Sequence, residues 1–549
     1  MIQLKRWAVL ALAAILTAGL LSGCGQQEKQ LKLSVCAGGD VATFDPAYVT
    51  DASDATVVGS LYENLMRLST DVSGNTTVTE GIAQKVDVKE NYDGTVTYTF
   101  RLRSTRWSDG KALTAQDFVY AWQRLVNPAT NSPNAGLLSM VKGYDEVRAG
   151  GDVSQLSVTA KNDSTLVVVL SGKYDWFLSD VCTAVATSPL RQDVIKQLKE
   201  KASSGSSSDL KWWHDPTLLV TDGPYCVSSY VSGNSLTLTA NQRYYGNVGP
   251  TQLQFLFADS SEAAWELYTK GSVDFVASLP EEQLKELYAA GQWSATPELS
   301  TYTILFNCAQ LPFNDASVRK AFSLAVDRTA LAALAGVTGQ AAGGLVPYGV
   351  PGDSDQDFRT AGGDLLNTAP EDYALNCETA LESLSKTGYD DRYHLVYLYV
   401  DEGPAAQVAQ ALVQQWRNVL HVSVTPKAVT QAELSTALAS GDFFMAGVSQ
   451  TAMANDAEAF LSPYTSRNSQ NVTQYANSAY DTLLTIIDSA SDASARLACL
   501  HDAESLLLSD AAVSPLFFTG TAWKLRETYT GVSRDARGWF RLADITAAG

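Results

Sequence analysis

Apolar residues along this chain follow two periods. From Val96 they alternate, with Val96, Tyr98, Phe100 and Leu102 set against Thr97, Thr99 and Arg101, which is the spacing of a half-buried strand. Val86 and Val88 alternate on the far side of Asn91-Tyr92-Asp93-Gly94, so the two runs are expected to pair as a hairpin. Beyond the turn Trp107-Ser108-Asp109-Gly110-Lys111 the period lengthens. Phe118, Trp122 and Leu125 recur on one helical face until Asn127-Pro128 stops it. Thr114 and Asp117 mark the helix start: the hydroxyl is expected to accept from an early backbone N–H, and the carboxylate favours the positive helix end. Residues 253–257, 260–270 and 273–277 read as strand, helix and strand, and so do 394–400, 405–420 and 422–426. Short apolar strands separated by such helices predict an α/β fold with parallel sheets covered on both faces. Further strands are expected at 31–35, 159–170 and 235–240. Helices are expected over 57–68 and through most of 175–201.

The N-terminus has a different pattern. Lys5-Arg6 precedes an apolar run over 7–21, and Leu21-Ser22-Gly23-Cys24 follows. The run is too short for a typical bilayer-spanning helix and reads as a secretory signal. With 549 residues, 46% of them hydrophobic, the chain can bury more than one core. Its formal charge of −20 repels phosphate backbones and excludes nucleic acid as the expected partner; otherwise it serves solubility. Six cysteines follow Cys24, none spaced as CxxC, and buried free thiols are expected. The four histidines, His214, His394, His421 and His501, are isolated, and His394 and His421 read as structural. No HExxH, G-x-S-x-G or P-loop occurs. No catalytic residue, metal or cofactor is assigned. Ser203-Ser204-Gly205-Ser206-Ser207-Ser208 reads as a surface loop.

Several stretches together resemble the peptide-binding extracytoplasmic lipoproteins, solute-binding proteins of ABC importers (family 5). They are Phe44-Asp45-Pro46, the W-S-D-G turn, Thr114-x-x-Asp117-Phe118-Val119-Tyr120, Trp122-x-Arg124, Gly223-Pro224-Tyr225, Asn241-x-x-Tyr244-Tyr245-Gly246, Phe306-Asn307 through Pro312-Phe313-Asn314-Asp315, and Val346-Pro347-Tyr348-Gly349-Val350-Pro351-Gly352. The resemblance covers residues 31 to about 545. Leu-Ser-Gly-Cys likewise resembles the lipobox, which implies acylation of Cys24 and a lipid anchor on the outer face of the cytoplasmic membrane.

The resemblance implies a two-lobed, type II binding-protein fold. Its expected divisions are a signal peptide over 1–23, a tether over 24–30, first lobe over 31–55, an inserted domain over 56–175, first lobe again over 176–300, second lobe over 301–515, and a return to the first lobe over 516–549. The two crossings are expected near 299–305 and 513–519. It implies a monomer that traps a peptide or other small solute between the lobes and docks on permease subunits, with no catalysis. Peptides are held in this family by strand addition. The matching segments here are Thr50, Asp51 and Ala52 in one lobe and Gly447, Val448 and Ser449 in the other. The family's ammonium-binding aspartate should follow the second segment, but Thr451 or Met453 stands there. Asp456 and Asp51 are the candidate substitutes. A non-peptide ligand such as an oligosaccharide is the alternative, with Phe517 and Phe518 as candidate sugar-facing rings. A secreted enzyme with dispersed catalytic residues is the third reading.

Overall fold

The computed structural model describes residues 31–70, 76–174, 176–202, 212–290, 296–352, 356–390, 392–452, 454–468, 470–489, 492–535 and 537–548. The expected signal peptide, the tether with Cys24, the serine-rich loop and Met453 lie outside the described residues.

Two six-stranded sheets organise the chain. In the first, Lys32–Cys36 is central and runs parallel to Gln252–Leu256 on one side and Phe275–Val276 on the other. Ser235–Ala240 and Tyr225–Val231 extend it as an antiparallel hairpin, and Lys524–Leu525 joins its far edge from the C-terminal part of the chain. In the second, Thr296–Phe306 lies between Val513–Thr521 and Met445–Thr451, antiparallel to both. Leu395–Val400 and Val424–Val429 complete that side as a parallel pair. Both expected strand–helix–strand units are present, yet the sheets are mixed: a hairpin extends the parallel strands of the first, and the long antiparallel strands Thr296–Phe306 and Val513–Thr521 extend those of the second.

A third, four-stranded antiparallel sheet contains the expected hairpin, Ala83–Glu90 against Val96–Leu102, with Val86 opposite Phe100 and Val88 opposite Tyr98. Residues 159–170, read as one strand, are a second hairpin, Val158–Asn162 and Thr165–Leu170. The helix Ala115–Val126 buries Phe118, Trp122 and Leu125. Its start is the expected cap in the form of a capping box, the Thr114 side chain facing the Asp117 N–H while the Asp117 carboxylate takes the Thr114 N–H. The Thr114 hydroxyl donates to Asp117 (3.2 Å), and the same carboxylate oxygen accepts from the Thr114 N–H (2.8 Å) and the Trp107 indole (3.3 Å). One carboxylate thus holds the W-S-D-G turn and the helix start together. The buried core under this sheet is continuous with that under the first, so residues 56–175 share their core with the first lobe.

The helix expected over 57–68 is displaced. It spans Ala52–Leu61, and Met66–Thr70 pairs as a strand with Thr76–Glu80. Periodicity fails here because the intervening polar residues have tertiary partners. Asn64 donates to the Ala184 carbonyl (2.6 Å) and the Thr187 hydroxyl (2.8 Å), while Glu63 meets Arg67 (2.5 Å) and Tyr244. Within 175–201 the helical pattern resolves into a π turn, Phe177–Val181, a 3-10 turn, Val185–Thr187, and the helix Gln192–Ala202.

Thr296–Phe306 and Val513–Thr521 are the paired crossing strands, and the divisions expected at 300/301 and 515/516 fall inside them. His421 ends the helix Ala405–Leu420 in the left-handed conformation, and all six cysteines among the described residues are free thiols.

Candidate functional site

The site is built outward from Asp45. Its carboxylate is fully buried and accepts from Arg124 Nη1 (2.9 Å), the Trp212 indole (2.6 Å) and the Ala47 N–H (3.1 Å). The Phe-Asp-Pro and Trp-x-Arg motifs are therefore two halves of one buried ion pair. Asp45 also caps the turn Pro46–Tyr48, which delivers Thr50, Asp51 and Ala52 to the mouth of a cavity of about 480 Å³ between the sheets. Asp51 caps the helix Ala52–Leu61, accepting from the Asp54 N–H (2.8 Å) and the Ser53 hydroxyl (2.9 Å). Asp54, buried in the first turn of that helix, is pushed up to about 7, first by burial and then by the charge of Asp51.

The crossing strands supply the opposite wall through Glu298, Leu299, Ser300 and Thr521, joined by Thr451 and Ala452. Thr451 donates to the Ser300 hydroxyl (3.1 Å). Leu395–Val400 pairs with Met445 and Ala446 only, so over residues 447–451 that edge has no strand neighbour among the described residues. Gly447 faces the hydroxyls of Tyr302 and Tyr397. A Cβ there would lie 2.0 Å from the latter, so the position admits no side chain. The lobes touch where the Asn455 N–H donates to Asp180 (2.6 Å), a buried carboxyl that burial raises against the opposing pull of Arg537.

The expected residues are thus divided. Thr50, Asp51, Ala52 and Thr451 meet at the cavity. Gly447, Val448 and Ser449 lie on the same strand as Thr451 but do not line it. Asp456, offered as a replacement ammonium anchor, is committed elsewhere: both its oxygens accept from Arg496 (3.0 Å each), which also holds Glu458 (2.6 Å). Phe517 and Phe518 are core residues, not sugar-facing ones. Phe517 stacks on Tyr302 (5.0 Å between centroids) and Phe518 meets the edge of Tyr348 (5.7 Å). Alternation explains this: both sit in a central strand covered on its two faces.

Sequence reasoning missed Arg534, Arg537 and Trp539, which line the cavity from the turn joining Ser533–Arg534 to Phe540–Arg541. Their only signal was two arginines and two aromatics within Arg534-Asp-Ala-Arg-Gly-Trp-Phe540, in a segment carrying no family motif.

Residues 77–471 match the profile of the bacterial extracellular solute-binding proteins, family 5. The chain belongs to that family. Across this family-5 chain, similarity extends well beyond the matched region. It is 30% identical over 504 residues to a probable deoxycholate-binding periplasmic protein of Escherichia coli K12, covering 90% of this chain and 88% of that protein. It is also 30% identical over 525 residues to the periplasmic oligopeptide-binding protein OppA of the same organism, covering 93% and 91%. The structure of Haemophilus influenzae OppA in complex with the peptide RPPGFSPFR superposes with a TM-score of 0.73 at 24% identity, covering 95% of this chain and all of that one, a likeness of fold. A family-5 chain is a solute-binding protein rather than an enzyme, with the two-lobed α/β architecture described above.

Proposed function

We propose that this protein is the extracytoplasmic binding component of an ABC importer, capturing a peptide between its lobes and delivering it to permease subunits. The observation that carries the reading is the meeting of Thr50, Asp51 and Ala52 with Thr451, at the end of an open strand edge, on one interlobe cavity. An extended chain can add to such an edge through main-chain hydrogen bonds, which bind without reading side chains. Mass spectrometry of the freshly purified protein under native conditions tests this. Release of a peptide on denaturation is the expected result, and a non-peptide cargo would overturn it.

The ligand's amino terminus is not expected to be recognised. Thr451 is neutral, and Asp456 is held by Arg496. A charged hydrogen bond contributes about 1.5–3 kcal/mol, so a true anchor would favour a free amine by roughly tenfold or more. Calorimetry should instead find free and N-acetylated forms of one tripeptide within about threefold of each other, a difference too small for such a bond. A strong preference for the free amine that Asp51→Asn or Glu298→Gln removed would relocate the anchor to the remaining acids of the cavity wall.

A second reading has specific support. Much of the cavity wall is apolar, with Val49, Leu137, Val185 and Leu299 among its residues, and one relative is named for a steroid carboxylate. An apolar-bodied solute is therefore the alternative cargo. An oligosaccharide is not favoured, since Phe517 and Phe518 lie in the core.

The anchoring proposal rests on the sequence of the first 24 residues. Signal cleavage before Cys24 and acylation of its sulfur would tether the protein through residues 24–30 to the membrane. Cys24→Ser should move the protein from the membrane to the soluble fraction while thermal unfolding stays unchanged. A membrane-retained, still acylated variant would refute the assignment.

A further inference from the structure

The buried guanidinium groups of this chain are mostly matched to acceptors. Arg124, Arg359, Arg496 and Arg541 each face a carboxylate. Arg328 faces none, and burial pulls it down to about 10. It nevertheless donates to the carbonyls of Pro515 and Ser323 and the hydroxyls of Ser323 and Ser514.

Arg534 differs from all of these. It lines the interlobe cavity, its Nε and Nη1 atoms are out of contact with solvent, and neither has a hydrogen-bond partner. The neighbouring acids are otherwise engaged. Asp535 accepts from Arg537 Nε (3.0 Å) and from the Trp539 N–H (3.1 Å). Glu298 accepts from the Thr519 hydroxyl (2.7 Å). What packs on the guanidinium is apolar: the Phe540 ring, with its centroid 5.8 Å from Cζ, and Gly538, where a Cβ would stand 2.9 Å from Nη2. Gly538 is at φ +96°, so the turn both requires glycine and leaves room for the arginine. Burial lowers Arg534 below the usual arginine value, and the charges of Glu298 and Asp535 offset only part of that.

The indole Nε1 of Trp539, lining the same cavity, is also buried without a partner. Guanidinium and indole N–H groups only donate, so an acceptor is needed to satisfy both. The unpaired Thr521 hydroxyl of the opposite wall can donate or accept. Leaving buried donors unmade is costly, and a bound acceptor removes that cost.

Building on the reading of this cavity as the ligand site, we propose that Arg534 and the Trp539 indole N–H together receive a carboxylate of the ligand. The remaining wall limits the charge. Arg537 is neutralised by Asp535, so among the described residues Arg534 is the one cation of the wall left to meet an anion, and Asp51 and Glu298, which face the same space, repel any charge beyond that single carboxylate. The ligand class is a monoanionic carboxylate on a peptidic or apolar body, held by its acid end and not by its amine.

Two probe pairs test this by calorimetry on the whole protein: Ala-Phe-Ala against its C-terminal amide, and deoxycholate against its primary amide. A charge-assisted hydrogen bond predicts that the acid binds about ten- to a hundredfold tighter than its amide. In Arg534→Gln that ratio should fall to near one, chiefly through lost affinity for the acid, and Arg534→Lys should restore part of the preference. Binding of deoxycholate in preference to its amide, with neither peptide bound, would uphold the carboxylate site and remove the peptide reading. Equal binding of peptide acid and amide would uphold the peptide reading and overturn this one. It is equally overturned if Arg534→Gln weakens acid and amide alike, which would assign the side chain to lobe closure, or if no acid binds.

Discussion

Arg124→Met should destabilise the first lobe by about 3–5 kcal/mol, the cost typical of stripping one partner from a buried ion pair. The Asp45 carboxylate would stay buried with only the Trp212 indole and the Ala47 N–H to stabilise its charge. Arg124 comes from the helix packed on the four-stranded sheet, whereas Asp45 caps the turn that leads to Thr50. The same variant should therefore weaken ligand binding as well, because the segment lining the cavity loses its tie to that helix. Urea unfolding followed by tryptophan fluorescence measures the first effect and calorimetry the second. The double variant Asp45→Leu/Arg124→Met should recover much of the stability, since no charge is left buried alone. A loss below about 1 kcal/mol in Arg124→Met would mean that the indole and backbone donors suffice for the carboxylate.

Arg359→Met should cost the second lobe a similar amount, about 3–5 kcal/mol. Arg359 and Glu504 are both fully inaccessible to solvent, and they join the helix Ala493–Ser509 to the Val-Pro-Tyr-Gly-Val-Pro-Gly segment. Glu504 accepts from the N–H groups of Leu345 (2.7 Å) and Val346 (2.9 Å), while Arg359 donates to the carbonyls of Val346 (3.1 Å) and Gly363 (2.8 Å). A Cβ at residue 344 would lie 2.3 Å from the guanidinium carbon, so Gly344→Ala should disturb the same pair sterically. Because salt does not reach a dry pair, the loss in Arg359→Met should be the same at low and at high ionic strength. A loss that salt abolished would show that the pair is solvated. Unlike Arg124→Met, this variant should leave ligand affinity unchanged in the folded protein, since neither residue lines the cavity.

Local pattern made much of the framework legible. Alternation located the Ala83–Glu90 and Val96–Leu102 hairpin, and helical spacing located Ala115–Val126 and Ala405–Leu420, because each buries one regular face. It failed at residues 62–70, where Glu63 and Asn64 bind partners more than a hundred residues away and a run with helical spacing turns into a strand. It also could not tell a core ring from a cleft ring, and only the covering of both faces of Val513–Thr521 assigns Phe517 and Phe518.

The sequence by itself determined the family, the absence of recognisable catalytic motifs and the segments, near Thr50 and Thr451, that border the cavity. These depend on motif order and short-range periodicity, which are local properties. Tertiary structure alone decided which charges at the site are free. Asp456 looked available by its position in the chain until Arg496, forty residues on, was found to hold both its oxygens. Arg534 carried no motif, and it stands out only because the fold removes two of its guanidinium nitrogens from water without bringing them an acceptor. Whether a buried charge is matched depends on every group within a few ångströms, and those groups come from segments that nothing in the linear chain brings together.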